Sequence, residues 1–459
     1  MKGSPFLRGT FFLTMATMIS KMLGFIYVIP FTAMVGTGGY VLYTYAYRPY
    51  TIMLSIATMG LPLAVSKMVS KYNELDDYYT VKRVLKSGLI FMIFMGVISF
   101  LLLYCLAPQL AKIVIDSGDQ TGNSVTAVTY NIRIVSFALL IVPSMSLLRG
   151  FFQGFQSMGP SASSVVVEQF FRVLTILIGS FAVLHIYKGS TALAVGVATF
   201  GAFVGAVAGL GILIGYYIKR RRHLKKKESM SVPQTTKSSF TLYKELFAYS
   251  IPFVVVGLAI PLYQTIDTFT INKLLMQMGY LQREAEKMNA VIGLVQMIVL
   301  IPVSVATAFS MSLVPEMTKA YVARNEQLLY KHFTRTNLLV VFITIPASLG
   351  MMLLAEPVYT LLFGTGNDPA IGSVILRYYA PACILFSLFS VTAAMLQGIN
   401  QQRKTVLGLL IGVGIKIVLN IVLLQQFDYI SFIIATYAGY TVSVSFNLWI
   451  LSKYVIKAT

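Results

Sequence analysis

Cysteine is nearly absent: Cys105 and Cys383 are the only two in 459 residues, and both fall inside apolar runs. They exclude a disulfide framework and offer no metal-ligating spacing. Histidine is almost as scarce. His185, His223 and His332 sit in or next to loops, none beside a deep acid. A membrane-embedded glycosyl- or acyltransferase needs a catalytic carboxylate or histidine in a cavity, or a metal, so the chain reads as a non-enzyme with no cofactor. Charge is short as well, at 11% of residues, and acid is its scarcer half: 16 Asp and Glu against 36 Lys and Arg. That excess of base is not a nucleic-acid footprint, because the basic residues lie mostly in short loops between apolar runs.

What fills the chain instead is hydrocarbon. Hydrophobic residues make up 57% of it, and the mean hydropathy is +0.76. No single soluble core hides that much apolar surface, whereas a bilayer accepts it. Twelve runs approach the roughly 20 residues that a ~30 Å hydrocarbon core requires. They lie near 10–35, 43–66, 87–107, 130–153, 161–184, 190–218, 246–271, 289–314, 336–354, 371–396, 405–426 and 430–452. The first is too long for a signal peptide and carries Lys21 at its middle. With the N-terminus in the cytoplasm, the inside segments hold 25 of the 36 Lys and Arg and the outside loops five. This asymmetry places both termini inside. The expected fold is therefore an all-α polytopic membrane protein of about 12 transmembrane helices.

The sequence also repeats. A shift of 244 residues carries Arg133 onto Arg377, Gln153-Gly154 onto Gln397-Gly398, and Arg172 onto Lys416. Each half then holds six spans, so the two repeats run parallel: an N-terminal lobe 1–218, a basic cytoplasmic linker 219–245, and a C-terminal lobe 246–459. Transporters built from such repeats place substrate between the halves and rock one against the other. The linker, KRRRHLKKKESMSVPQTTKSSFTLYKE, obeys the positive-inside rule and also suits anionic lipid headgroups. Gly201, Gly205 and Gly209, four residues apart, read as a close helix-packing stripe.

Several spans carry a polar line at helical spacing: Thr17 and Lys21; Arg48, Thr51, Ser55 and Thr58; Ser164, Glu168, Arg172 and Thr175; Gln264 and Asp267; Asn289 and Gln296; Lys416 and Asn420. Such a stripe faces a wet cavity or another helix. Lys21, Arg172 and Lys416 fall near mid-span, where each cation costs about 2.5–3.5 kcal/mol and the three together roughly 8–10. Only Glu168 and Asp267 are acids of comparable depth, so the interior is expected to be net positive and the cargo anionic. Arginine offers a planar fork to phosphate oxygens and lysine a point charge. Arg172 has Glu168 four residues away, whose counterpart in the second half is Gly412. On that asymmetry Arg172 is read as facing the cargo, with Glu168 as the charge partner that orients it. Asp267 and Asn420 offer a carboxylate and an amide oxygen for a coupling cation, Na⁺ or H⁺.

Four segments carry a family resemblance: LRGTFFLTMATMISKMLGFIYVIPF at 7–31, LLRGFFQGFQSMGPSASSVVVEQFFR at 147–172, AIPLYQTIDTF at 259–269 and MLQGINQQRKTVLGLLIGVGIKIVLN at 395–420. They resemble the MurJ-type lipid II flippase and polysaccharide-biosynthesis branch, sporulation members included, of the multidrug/oligosaccharidyl-lipid/polysaccharide exporter superfamily. The resemblance implies a MATE-like plasma-membrane flippase for an undecaprenyl-diphosphate-linked sugar, chiefly the peptidoglycan precursor lipid II. Alternating access would operate through a cationic central cavity between two six-helix lobes. Implied headgroup contacts are Lys21, Arg48, Arg172, Lys416 and Gln296. Tyr27 stands where many members carry a second arginine, and Gln296 near where the eighth span often carries one. Some relatives hold Na⁺ in the second lobe; Asp267 and Asn420 match part of that site, and Leu424 replaces a further acid. Relatives often have fourteen spans. The implied partners are the lipid-linked substrate, the bilayer and cell-wall synthesis proteins. The driving force stays open among Na⁺, H⁺ and the membrane potential. So does the cargo: another lipid-linked polysaccharide unit or a sporulation cortex precursor is an alternative. A cation-coupled drug exporter of the superfamily is another, though cationic cargo calls for an acidic interior.

Overall fold

Every regular element of the computed structural model is helical among the described residues, which are 5–58, 60–115, 122–229, 231, 254–423 and 430–455. A helix closes all its backbone hydrogen bonds within one segment, which is what lets it cross a bilayer. In chain order the α-helices are α1 Pro5–Ile26, α2 Val28–Thr58, α3 Leu61–Glu74, α4 Tyr78–Val114, α5 Val125–Ser136, α6 Val142–Gly154, α7 Met158–Leu174 and α8 Thr191–Ser229. They continue as α9 Ala259–Gln277, α10 Gln282–Val322, α11 Glu326–Leu353, α12 Ala355–Phe363, α13 Pro369–Tyr379, α14 Ala382–Gly398, α15 Gln402–Val422 and α16 Ser431–Val455.

Nine helical segments among the described residues are long and apolar enough to span a membrane, or ten if the bent pair α13 and α14 is one span. Their outward faces are apolar. Ile90, Phe94, Phe342, Leu353 and Leu361 stand exposed, as residues do whose solvent is lipid. The first segment, Met15–Thr58, is 44 residues long and takes in most of the first two expected runs, 10–35 and 43–66, the second of which runs on into α3. It breaks at Gly36, whose φ of 68° is a left-handed value that glycine tolerates. The seventh expected run, 246–271, begins outside the described residues. Pro381 stands at the N-terminus of α14, where the helix bends by 44° from α13.

Local chemistry sets the other boundaries. Ser124 caps α5 by accepting the Ala127 N–H at 3.1 Å, and Asn325 caps α11 by accepting the Leu328 N–H at 2.9 Å. The helical hydrogen bonding of α7 widens into π turns at Thr175–Gly179 and again at Ala182–Ile186. The basic run does not begin as a linker: α8 continues through it to Ser229. No glycine or proline interrupts residues 216–229. The far end is tied down, with Glu228 accepting from Lys82 Nζ at 2.7 Å and Lys227 Nζ donating to the Tyr78 hydroxyl at 2.8 Å. The rest of the expected linker, from 230 to 245 but for Ser231, lies outside the described residues.

Contacts divide the chain into two units. The first takes the residues through Val35, Tyr45–Lys112 and Ser124–Val254; the second takes Gly36–Thr44, Ile113–Asn123 and Val255 onward. In the first unit α8 lies along α7 on the glycine stripe. A Cβ at Gly205 would stand 2.5 Å from the Glu168 carbonyl oxygen and 3.1 Å from Arg172 Cβ. The stripe is thus the packing seam that its spacing predicts. In the second unit an apolar core gathers Met317, Leu329, Val391, Met395 and Leu451 from α10, α11, α14 and α16.

Candidate functional site

Each unit buries an ion-paired cluster, and the two are built differently. In the first, Glu168 on α7 is held between two arginines. Arg172 Nη2, one turn along the same helix, lies 2.6 Å from Oε1, and Arg149 Nη2 on α6 lies 2.7 Å from Oε2. These are the short lengths of charge-assisted hydrogen bonds. Arg149 also donates from Nε and Nη2 to Ser164 Oγ at 3.1 and 2.8 Å, and Ser164 donates on to the Gly209 carbonyl at 2.9 Å. Arg172 Nη1 donates to the Tyr47 hydroxyl at 3.3 Å. All three ionic side chains are between 13% and 17% exposed. One carboxylate against two guanidiniums leaves this trio one positive charge in excess.

Two further cations expected to meet the cargo belong to the same unit. Lys21 is exposed on α1, a helix that packs against α7: a Cβ at Gly24 would lie 3.2 Å from the Gln169 amide nitrogen. Arg48 is half-buried on α2, next to the Tyr47 that meets Arg172. The hydroxyls of the α2 stripe turn back on their own helix, with Thr51 donating to Arg48 O at 2.7 Å and Ser55 to Thr51 O at 2.9 Å.

In the second unit the expected headgroup residues Lys416 and Gln296 and the expected cation ligands Asp267 and Asn420 form a single cluster. Lys416 Nζ on α15 lies 2.6 Å from Asp267 Oδ1 on α9, with the two side chains 0% and 3% exposed. The same ammonium donates to Thr436 Oγ1 on α16 at 2.6 Å and sits 5.4 Å from the centre of the Tyr263 ring. Gln296 on α10 donates to Asp267 Oδ2 at 3.1 Å. Asn420 Nδ2 reaches Asp267 Oδ1 at 3.4 Å and Thr270 Oγ1 at 3.3 Å, while its buried Oδ1 finds no hydrogen-bond partner among the described residues. Leu424 lies outside those residues.

This geometry corrects the inference drawn from Gly412. The second half does keep an acid against its cation, but a different helix supplies it. Position 412 has to be small because α15 and α16 cross there: a Cβ would meet the Gly439 carbonyl, Ser443 Oγ and the Tyr263 hydroxyl. Sequence reading also missed Arg149 as the second partner of Glu168, counting it only as a topology charge. The hint for Asp267 was present, since Asp267 and Lys416 are the one acid and one cation deep in that half. Among the described residues no three His, Cys, Asp or Glu gather within metal-ligating reach.

Comparison with known proteins gives the following. The family model described as polysaccharide biosynthesis protein matches residues 6–321, and the model described as lipid II flippase MurJ matches 288–458. The chain is 45% identical over 454 residues to a Bacillus subtilis (strain 168) protein named lipid II flippase MurJ, spanning 98% of this chain and 83% of that one. Among solved structures, an inward-facing multidrug resistance MATE family transporter of the MOP superfamily superposes with a TM-score of 0.74 at 14% identity. That match covers 95% of this chain and 96% of the other. A structure titled lipid II flippase MurJ, inward closed conformation, gives 0.65 at 14% identity, with 96% and 87% covered. These two likenesses are of fold.

Proposed function

The chain belongs to the polysaccharide biosynthesis protein family, in its MurJ-type lipid II flippase branch, and from that premise we propose that it moves lipid II from the inner to the outer leaflet. It is a multi-pass protein of the bacterial plasma membrane. The observation that carries the proposal is 45% identity sustained over 98% of the chain. The protein acts as a transporter and not as an enzyme, and it works by alternating access. The diphosphate of the cargo is recognised by Lys21, Arg48 and Arg172.

The charge balance of the first unit supports this reading. Glu168 neutralises one of its two arginines, so the trio stays cationic, and the Arg172 fork can exchange a carboxylate oxygen for a phosphate oxygen of similar geometry. A cationic drug would find no such complement, which sets the drug-exporter reading aside.

Reconstitution into vesicles tests the proposal. Lipid II accessibility is followed on each leaflet for the wild type and for Lys21→Ala and Arg172→Ala. Movement by the wild type, slowed strongly in both variants, is the expected result. A wild type that moves another lipid-linked sugar but not lipid II overturns the substrate. Unimpaired movement in both variants sinks the cationic recognition.

A further inference from the structure

The Lys416 ammonium has the surroundings of a bound cation. One carboxylate oxygen and one hydroxyl oxygen lie 2.6 Å from it, and an aromatic face lies 5.4 Å away. The Thr436 hydroxyl proton is already committed to the Phe432 carbonyl at 2.7 Å, so it is a lone pair that Thr436 turns toward Nζ. Beside this group, Asn420 holds a buried amide oxygen with no hydrogen-bond partner among the described residues. An acceptor left open in a dry place is costly unless a cation or a water uses it. A carboxylate oxygen and a hydroxyl lone pair on a monopositive centre are donors that also suit a monovalent metal ion, with the centre here covalently attached to α15.

We propose that Lys416 is a tethered cation: its ammonium occupies, between Asp267 and Thr436 and against the Tyr263 ring, the place that a free monovalent cation would take. The second unit is therefore complete without sodium, and trimming Lys416 opens a latent sodium site. The charge balance requires the first half of this. Lys416 and Asp267 are almost fully buried and sum to zero, so a free cation added beside them brings into the interior a charge that this pair does not offset. Removing the ammonium reverses the case. Asp267 then loses the ammonium from Oδ1 and keeps the Thr436 hydroxyl across the volume the lysine leaves. This site differs from a transported-ion site in that its resident cation cannot leave. The inference concerns the fold of one unit and is independent of which cargo is moved.

The test is thermal unfolding of the purified protein in detergent. Chloride salts of sodium, methylammonium and choline are compared at equal ionic strength. The wild type is expected to unfold at one temperature in all three. Lys416→Ala is expected to be destabilised in choline and to recover with a saturable dependence on sodium or methylammonium, the latter restoring the missing group without its tether. Lys416→Ala/Asp267→Asn is expected to show no such recovery. Lys416→Ser, which adds an oxygen in the vacated space, is the second variant. A saturable sodium effect on the wild type overturns the proposal. So does a Lys416→Ala unfolding temperature that is the same in all three salts. Failure of both variants to yield folded protein even in sodium-rich buffer also overturns it, because sodium should supply what the lysine did.

Discussion

Replacing Glu168 by glutamine removes one negative charge and almost no volume, so it isolates what the carboxylate does for Arg149 and Arg172. The two guanidiniums approach its oxygens to 2.7 and 2.6 Å. At an effective dielectric of about 20, each attraction is gross about 4 kcal/mol. Glutamine can still accept from one arginine, but its NH₂ must then face the other, so one charge-assisted hydrogen bond is lost and a donor meets a donor. Breaking a buried pair by removing one partner costs about 3–5 kcal/mol. These groups are 13–17% exposed, not sealed, and Ser164 and Tyr47 remain as acceptors, so about 2–4 kcal/mol is the net expectation. At about 2–4 °C per kcal/mol for a unit of this size, the unfolding midpoint should fall by roughly 4–16 °C. The decisive measurement is a double-mutant cycle with Arg149→Gln, read by thermal unfolding in detergent. If Glu168 serves chiefly to neutralise two cations, removing one of them with it should restore part of the loss. A Glu168→Gln midpoint unchanged to within about 0.5 kcal/mol, the ordinary scatter of surface substitutions, would refute the reasoning.

Other substitutions probe the packing. Gly205→Ala places a Cβ 2.5 Å from the Glu168 carbonyl oxygen, so α7 and α8 must part. About 1–3 kcal/mol of destabilisation is expected, visible as a lower unfolding midpoint, whereas Gly211→Ala, with nothing within 4 Å, should be neutral or stabilising. Glu286 is 2% exposed and accepts from the Asn123 backbone N–H at 3.0 Å, from Asn123 Nδ2 at 2.8 Å and from Gln282 Nε2 at 2.9 Å. Glu286→Ala should cost about 2–3 kcal/mol and release Asn123, read as faster hydrogen exchange at that amide; retained protection would contradict it.

Composition and the 244-residue repeat make the fold class legible, and they place Arg172 and Lys416 at corresponding points of two halves. They say nothing of who meets these cations, because the partners come from other helices. Asp267 is 149 positions from Lys416 in sequence, and Arg149 is on a different helix from Glu168. Helical spacing reveals neighbours one turn apart, as with Glu168 and Arg172, and is blind across an interhelical seam. The glycine stripe is the exception, since small residues at a four-residue spacing announce a seam without naming what lies across it. Charge composition likewise led to the expectation of a cytoplasmic linker from Lys219 onward but cannot tell a loop from a helix that continues. There the deciding fact is negative: no breaker stands before Ser229.

The two clusters differ in what each unit is free to do. Arg172 travels with a counter-ion, because Glu168 rides on the same helix, so a shift of α7 parts Glu168 from Arg149 on α6 but not from Arg172. Lys416 has its counter-ion on another helix, so drawing α15 away from α9 strands two charges in a dry interior at a cost of several kcal/mol. The Lys416–Asp267 pair thus acts as a weld that holds α9 and α15 together as one block.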